Sequence, residues 1–187
     1  MRRVCCITTP RILVRGLCLS LLVAMCVALA GPALAGKLKL KVGEAPPPLT
    51  WTTLEEESLD WDELRQDRPL VMVFWATWCM SCKKEWPHLI ELIEEFEESP
   101  LPPVWASASL GESADKVAKT VAKRELPGIA LVDPKEKNGK ALGIDFIPTV
   151  CVLDTEGNVA YVGNPKIKKL REILASLTSP PPESETP

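Results

Sequence analysis

The chain has 187 residues, 46% of them hydrophobic and 25% charged, a composition typical of globular proteins that excludes wholesale disorder. A formal net charge of -3 argues against a protein that grips nucleic-acid phosphates, and a single histidine excludes a histidine-rich metal site. Seven cysteines are too few for a small disulfide-dense scaffold, and their odd number needs an explanation.

Residues 1–35 have the pattern of a secretory signal peptide. Four arginines precede an apolar stretch at residues 17–30, and a small-x-small cleavage sequence follows at residues 33–35. An uncleaved membrane anchor is the alternative, since the apolar stretch is nearly long enough to span a bilayer. The Gly31-Pro32 pair in front of the cleavage sequence favours cleavage.

Cleavage would change both the charge and the cysteine content. Without the four arginines, 18 basic residues face 25 acidic ones, so the remaining 152 residues have a net charge of -7. Four cysteines would leave as well, and Cys79, Cys82 and Cys151 would remain. The external compartment permits disulfides, but a close pair constrains little of the unfolded chain. The Cys79–Cys82 pair is therefore better explained by chemistry than by stabilisation.

The mature chain begins with a leader and a small N-terminal unit. Residues 36–49 are rich in lysine and then in proline, and we expect this leader to pack on the domain surface. Residues 51–68 predict a short strand or hairpin followed by a helical turn, with Ser58 or Asp60 as its N-cap. We group residues 36–68 as a unit that precedes the core domain, residues 69–177.

The core domain opens with a strong strand signal and a strong helix signal. Residues 70–76 are continuously apolar and rich in β-branched and aromatic side chains, as expected for a strand buried on both faces. Residues 81–98 place apolar side chains three and four positions apart, which predicts an amphipathic helix. Pro87 lies inside this helix and should kink it, because proline removes one backbone donor.

The rest of the chain continues this alternation. We predict strands at residues 104–110, 128–132, 148–153 and 159–162, helices at 112–124, 136–142 and 165–177, and a disordered tail at 178–187. Asn164 and Pro165 should start the last helix, as N-cap and first residue. An α/β fold follows, with a central mixed β-sheet flanked by helices.

A C-x-x-C sequence, Cys79-Met80-Ser81-Cys82, lies between the buried strand and the long helix. At a helix N-terminus, unpaired backbone N–H groups and the helix dipole favour a thiolate, which should lower the pKa of the Cys79 thiol. Cys82 follows one turn later on the same face. We therefore expect Cys79 to attack a partner disulfide and Cys82 to resolve the mixed disulfide, with a Cys79–Cys82 disulfide as the product.

The same two thiols could instead bind a metal ion. A zinc site needs more donors, and neither a second C-x-x-C nor a nearby histidine supplies them, so we expect no resident metal. A copper-handling chaperone remains the alternative function, since two thiolates are soft ligands of the kind that copper accepts. We find no motif for a bound cofactor and expect none.

Two segments resemble the active site of thioredoxin-fold proteins. Residues 73–87, VFWATWCMSCKKEWP, resemble the active-site segment, and residues 146–149, FIPT, resemble the cis-proline loop. Residues 43–46 and the strand and helix at 128–142 resemble the N-terminal segment and the insertion of the TlpA/ResA branch. The resemblance implies a thioredoxin-like fold and an exported thiol–disulfide oxidoreductase that mostly reduces disulfides in the bacterial envelope.

The resemblance also implies roles for individual residues. Cys79 would be the nucleophile and Cys82 the resolving thiol. Pro148 would be a cis-proline that lies against the disulfide and aligns the substrate backbone, with Ile147 before it. Trp78 would flank the nucleophile, where it either contacts a partner or simply packs.

Some positions depart from the thioredoxin pattern. Val73 stands where cytoplasmic thioredoxins have a buried aspartate that accepts a proton. Glu85, three residues after Cys82, matches a glutamate of the TlpA/ResA branch and is expected to exchange a proton with that thiol, the alternative being a solvated residue. The Met80-Ser81 dipeptide lacks the histidine of strong oxidants, which favours a reductant.

Other conspicuous residues are expected to be structural. His88 should lie on the surface, and Cys151 should be a core residue rather than a third redox thiol. Acidic residues along the long helix should form its solvated face: Glu91, Glu94, Glu95, Glu97 and Glu98.

The sequence as a whole predicts a periplasmic or otherwise extracytoplasmic thiol–disulfide oxidoreductase that serves cell redox homeostasis. Its partners would be envelope proteins with disulfides or dithiols. A membrane thiol donor would recharge it, because the envelope has no reduced thiol pool of its own. Cytochrome c maturation is one setting that the resemblance implies. We expect a monomer that binds no nucleic acid.

Overall fold

The computed structural model describes residues 38–179, which contain seven strands and five helices. The strands are β1 (Trp51–Thr53), β2 (Ser58–Leu59), β3 (Leu70–Trp75), β4 (Val104–Leu110), β5 (Ile129–Asp133), β6 (Thr149–Leu153) and β7 (Val159–Gly163). The helices are α1 (Trp61–Arg65), α2 (Met80–Glu97), α3 (Ala114–Arg124), α4 (Lys137–Leu142) and α5 (Ile167–Leu177). The predicted signal peptide, and the predicted tail from residue 180 onward, lie outside the described residues. Within them, no helix has the length and apolar character needed to cross a membrane.

The strands form one mixed sheet in the order β2-β1-β5-β4-β3-β6-β7. β3, β4 and β5 are parallel to one another, whereas β1 pairs antiparallel with β5 and β6 pairs antiparallel with β3. All six residues of β3 are buried, as its continuous apolar run predicted. The predicted α/β fold with a central mixed sheet is confirmed.

Two hydrophobic cores cover the two faces of the sheet. The odd-numbered residues of β3 enter the core that contains Cys79 and Cys82, which we call the dithiol core. The even-numbered residues of β3 enter the core that contains Cys151, which we call the distal core. Helices α2, α3 and α5 contribute to the dithiol core, and α1 and α4 to the distal core. Because successive side chains of a strand point to opposite faces, the sheet separates Cys151 from the dithiol.

The leader is more deeply embedded than predicted. Leu40 is 3% exposed and belongs to the distal core, which corrects the expectation that the leader packs only on the surface. Its backbone also joins the sheet: the N–H of Gly43 donates to the Val159 carbonyl at 2.8 Å, and the N–H of Val159 donates to the Glu44 carbonyl at 3.0 Å. The leader therefore forms part of the fold.

Helix starts were predicted with mixed success. Asp60 is the N-cap of α1 and forms a capping box with Glu63, so one of the two proposed caps is confirmed. The predicted start of α5 is wrong, since Lys166 occupies its N-cap position. The Asn164 carbonyl accepts bonds from the Tyr161 hydroxyl and the Lys166 N–H, so the chain is still turning where we expected a helix.

Two further sequence predictions concern the end of α5 and the middle of α2. Thr178, assigned to the tail, is 3% exposed, and its hydroxyl donates to the Leu174 carbonyl at 2.8 Å, so it belongs to the end of α5. Pro87 lies inside α2, where a kink stays a prediction.

Candidate active site

Cys79 and Cys82 form a disulfide at the N-terminus of α2. Cys79 is the N-cap residue, and its sulfur accepts a hydrogen bond from the Cys82 backbone N–H at 3.0 Å. The predicted position of Cys79 at the helix terminus is confirmed. Both residues are almost fully buried, with 3% and 1% of their surface exposed, so they differ little in enclosure. A partner disulfide must therefore approach closely to reach either sulfur.

The loop that enters β6 faces the disulfide. The Ile147–Pro148 peptide bond is cis, as predicted, and Pro148 is buried. The Ile147 carbonyl oxygen lies 3.8 Å from Cys79 Sγ and 3.4 Å from Ser81 Oγ. The fold thus brings together two segments that are separated by more than sixty residues in the sequence.

Large apolar side chains on the C-x-x-C segment and on the cis-proline loop are open to solvent. Trp78 and Met80 are each 64% exposed, and Phe146 on the cis-proline loop is 48% exposed. Trp78 therefore does not serve as core packing. Together with Phe146 and Ile147 it lines a groove of about 210 Å³ beside the active site. We refer to Trp78, Met80 and Phe146 as the apolar rim.

Glu85 lies one turn after Cys82 on α2 and is half-buried. Within residues 38–179, no hydrogen bond or ion pair joins its carboxylate to Cys82 or to another side chain. Val73 is 2% exposed and packs in the dithiol core, so the position of the thioredoxin aspartate is apolar. The acid–base role of Glu85 stays a prediction.

A buried carboxylate behind the active-site loop was missed by the sequence analysis. Glu112, assigned to a helix, is only 5% exposed and lies before the Ser113 N-cap of α3. Its carboxylate accepts hydrogen bonds from the Thr77 N–H and hydroxyl, both at 2.6 Å, and from the Ser109 hydroxyl at 3.0 Å. Lys116 Nζ lies 2.5 Å from the same carboxylate.

This network keeps Glu112 ionised and fixes the chain that leads into the active site. Burial by itself would raise the pKa of Glu112, but the hydrogen bonds from Lys116, Thr77 and Ser109 together outweigh it and lower that pKa. One sequence signal points to this arrangement. Thr77 lies two residues after the end of β3 and Glu112 two residues after the end of β4, and the carboxyl ends of parallel strands meet at the same sheet edge.

Residues expected to be structural lie away from the disulfide. His88 is exposed, with Nδ1 3.9 Å from Glu91 Oε2. Cys151 is fully buried in the distal core, and burial raises the pKa of its thiol to about 12. The acidic residues predicted for the solvated face of α2 are all exposed, and the Glu95 carboxylate lies 2.8 Å from Arg171 Nε of α5. These expectations are confirmed.

Known proteins share both the sequence pattern and the fold. The Redoxin family model matches residues 41–177. The thiol-disulfide oxidoreductase ResA of Bacillus thuringiensis (strain Al Hakam) is 26% identical over 146 residues, which cover 77% of this chain and 83% of that protein.

Two solved structures have a similar fold. A thiol:disulfide interchange protein of the thioredoxin family from Chlorobium tepidum TLS superimposes with a TM-score of 0.59 at 18% identity, covering 75% of this chain and 99% of that one. A secreted disulfide oxidoreductase of Mycobacterium tuberculosis, homologous to E. coli DsbE, superimposes with a TM-score of 0.57 at 22% identity, covering 69% of this chain and 96% of that one. The expected thioredoxin-like fold is confirmed.

Proposed function

The chain belongs to the Redoxin family, in its TlpA/ResA-like branch, and we propose that it is an exported reductant that opens disulfides in other envelope proteins. The broader activity, that of a protein-disulfide oxidoreductase of ResA type, is shared with the relatives it matches. The observation that carries the proposal is the Cys79–Cys82 disulfide at the N-terminus of α2, opposite the cis-proline loop.

The two cysteines can carry a complete exchange. In the reduced protein, the Cys79 thiolate attacks one sulfur of the substrate disulfide, the substrate S–S bond breaks, and the departing thiolate takes up a proton. The Cys82 thiol then loses its proton and attacks Cys79 Sγ, which releases the second substrate sulfur as a thiol. Two electrons pass from protein to substrate, and the products are the Cys79–Cys82 disulfide and a substrate dithiol.

Glu85 is the group that we propose accepts the proton of Cys82. It lies on the next turn of α2, half-buried, and Val73 provides no acid beneath the pair. In Glu85→Gln the pH profile of thiol reactivity should change, whereas Glu91→Gln, exposed on the same helix, should keep the wild-type profile. An unchanged profile in Glu85→Gln would exclude an acid–base role.

The apolar rim is the surface that we propose receives the substrate. Exposed aromatic side chains contribute much of the contact energy in protein interfaces, and this rim lies on both the C-x-x-C segment and the loop that faces the disulfide. Pro148 and Ile147 would then align the substrate backbone next to Cys79. Apocytochromes c are candidate substrates, because their paired cysteines must be free thiols before haem is attached. A membrane dithiol donor would recharge the protein.

Export is supported by the signal-peptide pattern of residues 1–35 and by a relative described as secreted. N-terminal sequencing of the protein from the cell envelope should give Gly36 as the first residue. A protein that begins at Met1 in the membrane fraction would instead demonstrate an uncleaved anchor.

The reduction potential of the Cys79–Cys82 couple tests the direction of the reaction. A reductant should have a value near that of thioredoxin, about -270 mV, and a value near about -120 mV would place the protein among the oxidants. Copper(I) binding by the reduced protein with sub-micromolar affinity, together with negligible reduction of insulin, would favour the copper-handling alternative.

A further inference from the structure

The Ser81 hydroxyl lies between the disulfide and the cis-proline loop. Its oxygen is 3.3 Å from Cys79 Sγ and 3.4 Å from the Ile147 carbonyl oxygen. Within residues 38–179, Ser81 is the only side chain that hydrogen-bonds to the Cys79 sulfur, and the Cys82 backbone N–H is the other donor. This hydroxyl is therefore placed to respond to the redox state of Cys79.

In the disulfide form, the hydroxyl proton of Ser81 has one strong acceptor. A serine hydroxyl has a single proton to donate. The sulfur of Cys79 in the disulfide has no charge and is a weak acceptor, whereas the Ile147 carbonyl is a full-strength acceptor. The proton therefore points to Ile147. The Cys79 sulfur, 3.8 Å from the same carbonyl, has no proton to share with it.

Reduction makes the Cys79 sulfur a stronger acceptor for the Ser81 hydroxyl than the Ile147 carbonyl. Opening the disulfide takes up two electrons and one proton, which gives a thiolate at Cys79 and a thiol at Cys82. A thiolate accepts charge-assisted hydrogen bonds, which are stronger than bonds between neutral groups. Because Ser81 Oγ already lies within hydrogen-bond distance of Sγ, rotation of the hydroxyl about its Cβ–Oγ bond is sufficient.

We propose that Ser81 is a catalytic residue whose hydroxyl turns from the Ile147 carbonyl to the Cys79 thiolate on reduction and stabilises that nucleophile. The hydroxyl adds to the bond from the Cys82 N–H and to the helix dipole, which act on the same sulfur. It raises the fraction of thiolate at neutral pH, and it makes the couple less reducing than it would be without the hydroxyl, because the reduced form gains the bond. The inference rests on the dithiol chemistry of the proposed function but is independent of export and of the direction of electron flow.

Other charges around the dithiol also influence Cys79, but a comparison of variants at position 81 holds them constant. On α2 these are Lys83 and Glu85, together with the Cys82 thiol of the reduced protein. On the surrounding segments they are the Glu112–Lys116 pair behind Thr77, the Glu136–Lys140 pair at α4 and Asp145 of the cis-proline loop.

Ser81→Ala and Ser81→Thr form the matched pair for the test, since both change the side chain and only threonine keeps a hydroxyl. The rate at which iodoacetamide modifies Cys79 in the reduced purified protein is measured against pH, with the label located by peptide mass spectrometry. In Ser81→Ala the acid dissociation constant of Cys79 should fall about tenfold. In Ser81→Thr it should stay within about twofold of the wild-type value.

The equilibrium with glutathione provides a second readout. At a pH where Cys79 is ionised in every variant, the disulfide of Ser81→Ala should be about tenfold harder to reduce, which corresponds to a potential about 30 mV more negative. A wild-type pH profile in Ser81→Ala, or equal changes in both variants, would overturn the proposal. Failure of the proposed function is distinguishable, because an oxidising wild-type potential leaves the difference between the two variants unaffected.

Discussion

At the scale of single residues, Glu112 shows how a carboxylate outside the C-x-x-C sequence can shape the active site. Its oxygens hold both the backbone N–H and the hydroxyl of Thr77, two residues before Cys79. The pKa of Glu112 is lowered in the folded protein. The network therefore stabilises the fold at pH values above the unfolded-state pKa, and this contribution is lost as the pH falls through the folded-state pKa.

Glu112→Gln tests this contribution. We expect the free energy of unfolding at pH 7 to fall by about 1–3 kcal/mol, since the amide leaves buried donors poorly paired. The difference from wild type should shrink as the pH falls through the lowered folded-state pKa of Glu112, because the wild-type carboxylate then becomes protonated. Urea unfolding at pH 7 and pH 3 measures the loss of stability and its change with pH. Glu97→Gln, exposed on α2, is the control and should change stability by less than about 0.5 kcal/mol. A pH-independent difference would contradict the role of the charge.

The cysteines and Pro148 could be predicted because local sequence carries their signal, whereas the signal for Glu112 is spread over the ends of two strands and was missed. The C-x-x-C spacing and the FIPT segment are each contiguous. The partners of Glu112 come from the end of β3, the end of β4 and the first turn of α3. The amphipathic pattern from residue 112 onward predicted a helix, and Glu112 fitted that pattern as a solvent-exposed residue.

At the scale of elements, periodicity located the strands and helices, but tertiary contacts set some of their ends. The strand predicted at residues 104–110 matches β4 at both ends. The Asn164-Pro165 signal failed because the Tyr161 hydroxyl binds the Asn164 carbonyl, and no pattern within the helix reports that contact. Caps that depend on adjacent residues, such as Asp60, are more predictable.

Two glycines with similar positive φ angles allow the cost of backbone strain alone to be compared with the cost of strain plus a steric clash. Gly128 (φ +83°) precedes β5, and a Cβ there would lie 2.3 Å from the Trp105 carbonyl oxygen, while Gly43 (φ +85°) has nothing within 4 Å. Gly43→Ala should cost about 1–2 kcal/mol from the left-handed backbone alone. Gly128→Ala should cost at least about twice as much, because β4 and β5 must also shift. Chemical unfolding measures both, and equal costs would show that the Trp105 contact is unimportant.

The packing of α5 against the dithiol core should matter more than its surface ion pair. Arg171 and Glu95 are both partly exposed, at 47% and 41%, so Arg171→Ala should cost less than about 1 kcal/mol, and less still at high salt. The adjacent Leu170 is fully buried, and Leu170→Ala should cost about 2–5 kcal/mol. Urea unfolding in low and high salt compares the two. A salt-sensitive loss in Arg171→Ala as large as that of Leu170→Ala would contradict this ranking.

At the scale of the whole molecule, the sheet keeps two kinds of cysteine apart. Cys79 and Cys82 lie in one core and Cys151 in the other, where its thiol has a pKa of about 12. Cys151 is therefore protonated and inaccessible at neutral pH, so exchange between it and the disulfide is not expected in the folded protein.

Thiol labelling tests this separation. After reduction of the native protein, iodoacetamide should modify Cys79 quickly and Cys151 only in denaturant, as read by peptide mass spectrometry. Cys151→Ala should retain wild-type insulin reduction while losing some stability through the cavity it leaves. Rapid labelling of Cys151 in the folded protein would contradict the assignment.

The embedded leader has a consequence for the two edges of the sheet. Edge strands offer unpaired N–H and C=O groups to which other chains can anneal. Here one edge strand, β2, has only two residues, and the leader's two hydrogen bonds to Val159 occupy the start of the other, β7. By covering the start of β7, the leader limits unwanted strand addition at that edge while leaving the apolar rim exposed.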